Sequence, residues 1–138
     1  MRAKGLHIPA ALLALTIGQA GAAEQGEAKE ERLVLPSGLE AVLQEMVWNQ
    51  PGQGLTYRFR FVAAGFTGEE EFDTIMSDLE FLCNSYAIPH LSNVGPMPRQ
   101  VVISLSDRET EFGVIDPTVT QVFEAYRVEN GTCIWEMF

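Results

Sequence analysis

The run SDRETEFGVIDPTVTQ, at residues 106–121, holds the side chains whose types and spacing are best suited to chemistry. Asp107 and Glu111 could form a pair of carboxylates for acid and base catalysis, with Arg108 lining the same pocket. The simpler interpretation is a turn, because an aspartate that follows a strand commonly accepts hydrogen bonds from nearby backbone. The run also lacks the spacing of a calcium loop. We expect the run to be a binding loop or a simple connection between strands, with catalysis as the less favoured alternative.

The other reactive groups give an enzyme little support. His90 is the only histidine outside the expected signal peptide, and it follows Pro89 in an expected loop. The chain has no G-x-S-x-G elbow, no H-E-x-x-H motif, no phosphate-binding glycine loop and no G-x-G-x-x-G. The sequence therefore predicts no metal and no cofactor and favours a noncatalytic protein. A catalytic triad built on His90 stays open.

Cys83 and Cys133 are the two cysteines of the chain. Two cysteines in an exported protein are typical of a disulfide, which would stabilise the fold by about 4 kcal/mol through the loop that it closes. Redox exchange is disfavoured because there is no C-x-x-C motif, and two isolated thiols do not complete a zinc site.

The N-terminus has the three parts of a secretory signal peptide. A basic start with Arg2 and Lys4 precedes a short apolar run, and small residues follow up to Ala22 and Ala23, one of which precedes the cleavage. The apolar run is too short to cross a membrane. The sequence predicts a signal peptide at residues 1–23, a flexible charged leader at 24–32 and one domain at 33–138. The mature protein is expected in the periplasm or outside the cell, without a membrane anchor.

The charge of the mature chain excludes several kinds of partner. Removing Arg2 and Lys4 from the nine basic residues leaves seven against 19 acidic residues, a formal charge of −12. Lys29 is then the only lysine. Nucleic acid and anionic membranes are therefore poor partners, since both are bound by basic patches. The charge favours solubility and could attract a basic partner.

Two segments near the start of the domain are expected to pair. Residues 55–62, LTYRFRFV, alternate apolar and polar side chains as a strand does. Residues 39–48 carry local helix signals, including Ser37 and Glu40 at capping-box spacing. The Pro/Gly turn at 49–54 nevertheless favours a hairpin, so we predict a strand for 39–48 and leave the helix open.

The segment TGEEEFDTIMSDLEFLCNSYAIP predicts the main helix, with Thr67 as N-cap, Glu70 at the capping-box position and Pro89 as terminator. Phe81 falls outside the apolar stripe and either packs under a loop or contacts a partner. The apolar face of this helix follows the helical period and holds Phe72, Ile75, Met76, Leu79, Cys83 and Tyr86.

The second half of the domain predicts three further strands. RQVVISLSD is one, and Asn130-Gly131 is a type I′ turn joining two others, with Val128 opposite Cys133. We expect Tyr126, Val128, Cys133 and Trp135 to lie under the helix, and Phe123, Ile134 and Phe138 on a second covered face. Asp116 and Pro117 could start a short helical turn. The predicted fold class is α+β: a mostly antiparallel sheet of about four to five strands packed against one amphipathic helix.

The motif pattern resembles that of a family of small secreted alphaproteobacterial proteins of unknown function. The stretches that carry the resemblance are LPSGLEAVLQEMVW, YRFRFVA, LEFLC, VVISLSDRETEFG and QVFEAYRVENGTCIWEMF. It covers residues 33–138 and implies a Gram-negative periplasm and a single α+β domain. It implies no active-site residue.

Two functions follow as expectations, and a purely structural protein with no specific partner stays open as a third possibility. The preferred one is a noncatalytic periplasmic binding or accessory module that engages another envelope protein through Phe81, Asp107, Arg108 and Glu111. The alternative is a small periplasmic hydrolase or ligand-binding protein in which the 107–116 loop and His90 line one pocket. The two are separated by whether Phe81 is exposed and whether the loop and His90 converge.

Overall fold

The computed structural model of the chain describes residues 31–49, 54–91 and 95–137. The expected signal peptide, most of the leader and Phe138 lie outside these residues. Six strands form one sheet in the order β1-β2-β3-β4-β5-β6. They are β1 (Leu33–Val34), β2 (Glu40–Asn49), β3 (Thr56–Val62), β4 (Gln100–Ser106), β5 (Gln121–Glu129) and β6 (Thr132–Glu136). The helical segments are α1 (Phe72–Leu82), a π-helical segment (Cys83–Ala87) and α2 (Ile88–Leu91).

The predicted fold class is wrong. The sheet has six strands, curls into a half-barrel and is mixed, because β3 and β4 run parallel while the other neighbours are antiparallel. The helix lies in the connection between β3 and β4, and a parallel pair needs a long crossover of this kind. The strand that the prediction lacked is β1, which is only two residues long and too short to give a pattern in the sequence.

Residues 39–48 form a strand, as predicted, because β2 spans Glu40–Asn49 and pairs antiparallel with β3. Pairing and burial outweigh the local helix signals here. The register shifts between Leu43 and Glu45, which leaves Gln44 as the extra residue of a β-bulge. The bulge places Glu45 opposite Arg60.

The start of the helix differs from the prediction. Helix α1 begins at Phe72, with Glu71 as N-cap, and Thr67 lies in a turn ahead of it. One of the two hydrogen bonds of a capping box is nevertheless present in that turn, because the carboxylate of Glu70 accepts from the backbone N–H of Thr67 and also from that of Gly68. The Thr67 hydroxyl accepts from the Glu69 N–H, one residue short of the capping-box partner. Capping-type contacts therefore close a turn here without starting a helix.

Pro89 does not end the helix, which continues to Leu91. A proline inside a helix lacks one N–H and crowds the preceding turn. The π-helical segment before it widens that turn, and the Ile88 N–H bonds to the Cys83 carbonyl, five residues back.

The helix packs on one side of the sheet, which we call the helix face. Tyr57, Phe59 and Phe61 of β3 are each 1% exposed there, and both phenylalanine rings meet the Tyr86 ring edge-on. Leu79, Leu82, Val101, Ile103 and Leu105 complete this core. The opposite side is the open face. No helix covers it within the described residues.

The β5–β6 hairpin has the predicted register, with Val128 opposite Cys133 and Tyr126 opposite Trp135. Asn130 has φ 52° and Gly131 φ 74°, as a type I′ turn requires. The prediction that both faces of the hairpin are covered is wrong. Phe123 is 60% exposed on the open face, because no helix within the described residues covers that face.

The predicted disulfide between Cys83 and Cys133 is present. It joins the π-helical segment to the edge strand β6 across 50 residues of sequence. Beside it, the Asn84 side-chain oxygen accepts a hydrogen bond of 2.9 Å from the Cys133 N–H. No helix within the described residues is long and apolar enough to cross a membrane.

Candidate functional site

A cleft of about 210 Å³ lies on the open face, between strands β3, β4 and β5 and the loop that follows β4. We call it the sheet cleft. Its walls are formed by Arg58, Arg60, Val102, Ser104, Glu111, Phe112, Gly113, Val114, Gln121 and Phe123. The strand residues among them reach the cleft because alternate side chains of β3, β4 and β5 point away from the helix.

Two arginines and one aromatic ring form the centre of the sheet cleft. The guanidinium carbons of Arg58 and Arg60 lie 5.7 and 5.5 Å from the centroid of the Phe112 ring. Both distances are within the range of a cation–π interaction. The loop is thus held over the strands by its aromatic ring on the two cations.

The two arginines differ in their partners. Arg60 is 5% exposed and forms an ion pair with Glu45, its cross-strand neighbour. Arg58 takes part in no ion pair within the described part of the chain. Its charge is therefore available to a ligand, whereas that of Arg60 is largely neutralised.

Two polar atoms in the walls of the sheet cleft are buried without a hydrogen-bond partner among the described residues. They are Nε of Arg58 and the hydroxyl oxygen of Ser104, whose residue is only 7% exposed. A buried polar group without a partner costs about 1–3 kcal/mol. Such atoms are uncommon in folded proteins, and these two line the same cleft.

The rim of the sheet cleft is apolar. Phe112 is 43% exposed, Val114 53% and Phe123 60%, and the neighbouring Ile115 is 90% exposed. A contiguous exposed apolar patch next to a polar floor is typical of an interaction surface.

Hydrogen bonds at its base hold the loop that forms this rim. The Asp107 N–H donates to the Thr120 carbonyl at 3.0 Å, and the Asp107 carboxylate accepts from the Thr120 N–H at 3.1 Å. The same carboxylate accepts from Arg108 at 2.9 Å. The Arg108 hydrogen bond, followed by the Thr120 N–H, holds the pKa of Asp107 below its usual value.

The bulged residue of β2 anchors the far side of the loop. The Gln44 amide donates to the Thr110 carbonyl at 2.9 Å. Further along, the Asp116 carboxylate accepts from the hydroxyl and the N–H of Thr118, which lowers its pKa. Residues 116–119 form a turn, where a short helical turn was predicted.

The predicted site residues are distributed as follows. Glu111 lines the sheet cleft, Asp107 and Arg108 close the base of the loop, and Phe81 is half-buried and packs against the core. His90 lies on the helix, where its ring stacks on Tyr86 at 4.0 Å and Nδ1 contacts the Tyr86 carbonyl. Tyr86 contacts the helix face, so the sheet separates His90 from Glu111.

This arrangement can hold an anionic group. The Arg58 guanidinium offers charge and N–H donors, Ser104 offers a hydroxyl, and the rim can take the apolar part of the same ligand. The described residues contain no group of three or more histidine, cysteine, aspartate or glutamate side chains placed to hold a metal ion.

Four residues of the sheet cleft were not predicted from the sequence: Arg58, Arg60, Ser104 and Phe112. A signal was present, since Arg58 and Arg60 stand two apart on one strand in a chain with nine basic residues. In a strand, that spacing places both on one face. Arg60 finds its anionic counterpart in Glu45, whereas Arg58 has no ion pair among the described residues.

Comparison with known proteins gives a family without an activity. No curated protein and no solved structure matches the chain. The sequence profile described as "Family of unknown function (DUF6497)" matches residues 14–138, which is nearly the whole chain. The chain therefore belongs to the family DUF6497, a family of unknown function.

Proposed function

We propose that the protein is a noncatalytic binding module that engages another protein of the bacterial envelope through the sheet cleft. The partner presents an acidic group, a side-chain or terminal carboxylate, flanked by apolar side chains. The carboxylate binds Arg58 and the Ser104 hydroxyl, and the apolar side chains cover the rim at Phe112, Val114 and Phe123.

The observation that carries this proposal is the pair of buried, unpartnered polar atoms at Arg58 and Ser104. A carboxylate has two oxygens and can accept from both residues. Binding would thereby remove the cost of two unsatisfied groups in addition to forming a charge-assisted hydrogen bond.

The proposed location is the periplasm of a Gram-negative bacterium. The signal-peptide pattern of residues 1–23 and the resemblance to secreted alphaproteobacterial proteins support it. The disulfide is consistent with an oxidising compartment.

The binding role is preferred over a hydrolase because of where His90 lies. A hydrolase of the kind considered from the sequence needs His90 beside Asp107, Arg108 and Glu111. His90 instead contacts Tyr86 on the helix face, and Glu111 lines a cleft on the open face.

Site-specific photo-cross-linking in cells tests the proposal. A photoreactive amino acid at Ile115, which is 90% exposed beside the rim, should capture one abundant envelope protein. Arg58→Gln should lower the yield of that adduct about tenfold, because a hydrogen bond to a charged group is worth roughly 1.5–3 kcal/mol. Purified partner should show the same loss in affinity.

Arg99→Gln is the matched control, because Arg99 is exposed and outside the sheet cleft, so this variant should leave the adduct unchanged. Equal loss in both variants would indicate a general effect of charge and overturn the proposal. So would a spectrum of adducts at Ile115 that Arg58→Gln does not change.

A further inference from the structure

A second concave surface lies on the other side of the sheet, where the start of α1 meets the hairpin of β5 and β6. It has a volume of about 330 Å³, and we call it the aromatic groove. It is lined by Phe72, Asp73, Met76, Ser77, Glu80, Tyr126 and Trp135. It shares no lining residue with the sheet cleft, so a ligand bound in the aromatic groove does not depend on the function proposed for the sheet cleft.

The groove exists because two aromatic residues do not enter the core. Phe72 and Trp135 were expected on buried faces, yet they are 64% and 40% exposed. Phe72 is the first residue of α1, and Trp135 lies opposite Tyr126 on the edge strand. Each is at the end of its element, where the neighbouring element no longer covers it.

Trp135 is held in place by a hydrogen bond. Its indole N–H donates to the Glu124 carboxylate at 2.8 Å. An exposed tryptophan would otherwise have rotational freedom to lose on binding a ligand. The hydrogen bond therefore organises one wall of the groove in advance.

The charge at the groove is of one sign. Asp73 and Glu80 line it, both are exposed, and Glu124 holds the tryptophan from one side. None of the lining residues is a lysine or an arginine. The charged side chains that line the groove are therefore all acidic.

Tyr126 adds an unsatisfied polar group. The residue is 1% exposed and lines the groove, and its hydroxyl has no hydrogen-bond partner among the described residues. Burial, reinforced by the nearby carboxylates of Glu124 and Glu80, raises the pKa of this phenol. The group is therefore a neutral hydroxyl whose oxygen can accept a hydrogen bond.

We propose that the aromatic groove binds the cationic side chain of a basic partner segment, a lysine or an arginine. The faces of Phe72 and Trp135 attract a cation, Asp73 and Glu80 neutralise it, and the Tyr126 oxygen accepts one of its N–H groups. The groove is open along its rim, which suits a side chain carried on a larger chain.

Tryptophan fluorescence of the full chain tests the proposal. Trp48 is the only other tryptophan, so Trp48→Phe leaves Trp135 as the single reporter. The probes are the peptides acetyl-Gly-Lys-Gly-amide and acetyl-Gly-Arg-Gly-amide. Their neutral counterparts carry Nε-acetyl-lysine and citrulline. A basic peptide should change the Trp135 emission in a saturable manner, whereas its neutral counterpart should bind at least about fivefold more weakly.

Two variants locate the binding. Glu80→Gln, at an exposed position where folding is not at risk, should weaken the basic peptide about threefold, and Tyr126→Phe should weaken it by a similar factor. Glu109→Gln is the control for lost charge, because Glu109 is exposed on the open-face loop, and it should have no effect. Arg58→Gln should also leave peptide binding unchanged, which separates this result from the test of the sheet cleft.

Three results would overturn the proposal: no response to either basic peptide, equal binding of the neutral peptides, or the same affinity in Glu80→Gln as in the parent. If Tyr126→Phe fails to fold, the affinities of Glu80→Gln and Glu109→Gln for the basic peptide still test the proposal.

Discussion

The two faces of strand β3 carry opposite kinds of side chain, aromatic on one face and cationic on the other. On the helix face, Tyr57, Phe59 and Phe61 are each 1% exposed and contact aromatic and aliphatic neighbours. On the open face, Arg58 and Arg60 alternate with them, and Arg58 keeps a buried atom without a partner. Five consecutive residues, 57–61, thus contribute three side chains to the core and two to the sheet cleft.

Burial has opposite effects on the free energy of the folded state on the two faces of this sheet. Apolar burial on the helix face lowers the free energy of the folded state, at about 25 cal/mol per Å². Burial of Arg58 Nε and Ser104 on the open face raises it, because their lost hydration is not replaced. Both groups line the sheet cleft, where the proposed ligand would restore their hydrogen bonds.

The two faces should differ most in how much their aromatic residues contribute to the free energy of unfolding. Phe59→Ala should lower the free energy of unfolding by about 3–5 kcal/mol, as for other buried phenylalanines. Phe123→Ala, at a residue 60% exposed on the open face, should change it by less than about 0.5 kcal/mol. Urea unfolding measures both. Similar losses in the two variants would mean that the open face is also part of the core.

A smaller effect compares two serines of β4 on the same face. Ser104→Ala should raise the free energy of unfolding by about 1 kcal/mol, because it removes a buried hydroxyl without a partner. Ser106→Ala should lower it by about 1 kcal/mol, because the Ser106 hydroxyl donates to the Arg108 carbonyl at 2.8 Å. The same urea experiment measures both. A loss of stability in Ser104→Ala would show that its hydroxyl has a partner in solution.

The smallest effect concerns the base of the open-face loop. The pKa of Asp107 is lowered in the folded state, so its contribution to stability is present at neutral pH and is lost as the pH falls below the usual aspartate value, about 3.9. Asp107→Asn should therefore lower the melting temperature slightly at pH 7 and by less at pH 3. Glu109→Gln, exposed on the same loop, is the control. An equal decrease at both pH values would mean that the effect comes from lost packing and that the Asp107 charge does not contribute.

Much of the local structure could be predicted because its causes are local. The Asn130-Gly131 turn fixed its hairpin register, since few residue pairs accept two positive φ angles. The strand β3 and the helix followed from periodicity. The parallel pairing of β3 with β4 could not be predicted, because it depends on contacts between residues more than 40 positions apart. The helix start was wrong for a local reason, since the Glu70 carboxylate bonds to the Thr67 N–H as in a capping box while the backbone there forms a turn.

The site was harder to predict than the fold. Charge density pointed to Asp107, Arg108 and Glu111, of which only Glu111 lines the sheet cleft. The cleft is assembled from three strands and a loop, and the sheet order that brings them together was not in the sequence pattern. Ser104 in particular reads as an ordinary strand residue. Only its burial without a partner distinguishes it.

The disulfide also bears on how this protein behaves in a crowded compartment. An edge strand such as β6 can detach and complete the sheet of a neighbouring copy, a route to domain-swapped dimers and fibres. Here the Cys83–Cys133 bond ties β6 to the helix, and Asn84 occupies the Cys133 N–H that the edge would otherwise offer. A molecule with this bond intact cannot exchange β6 alone. We therefore expect oxidation to hinder strand exchange between copies as well as unfolding.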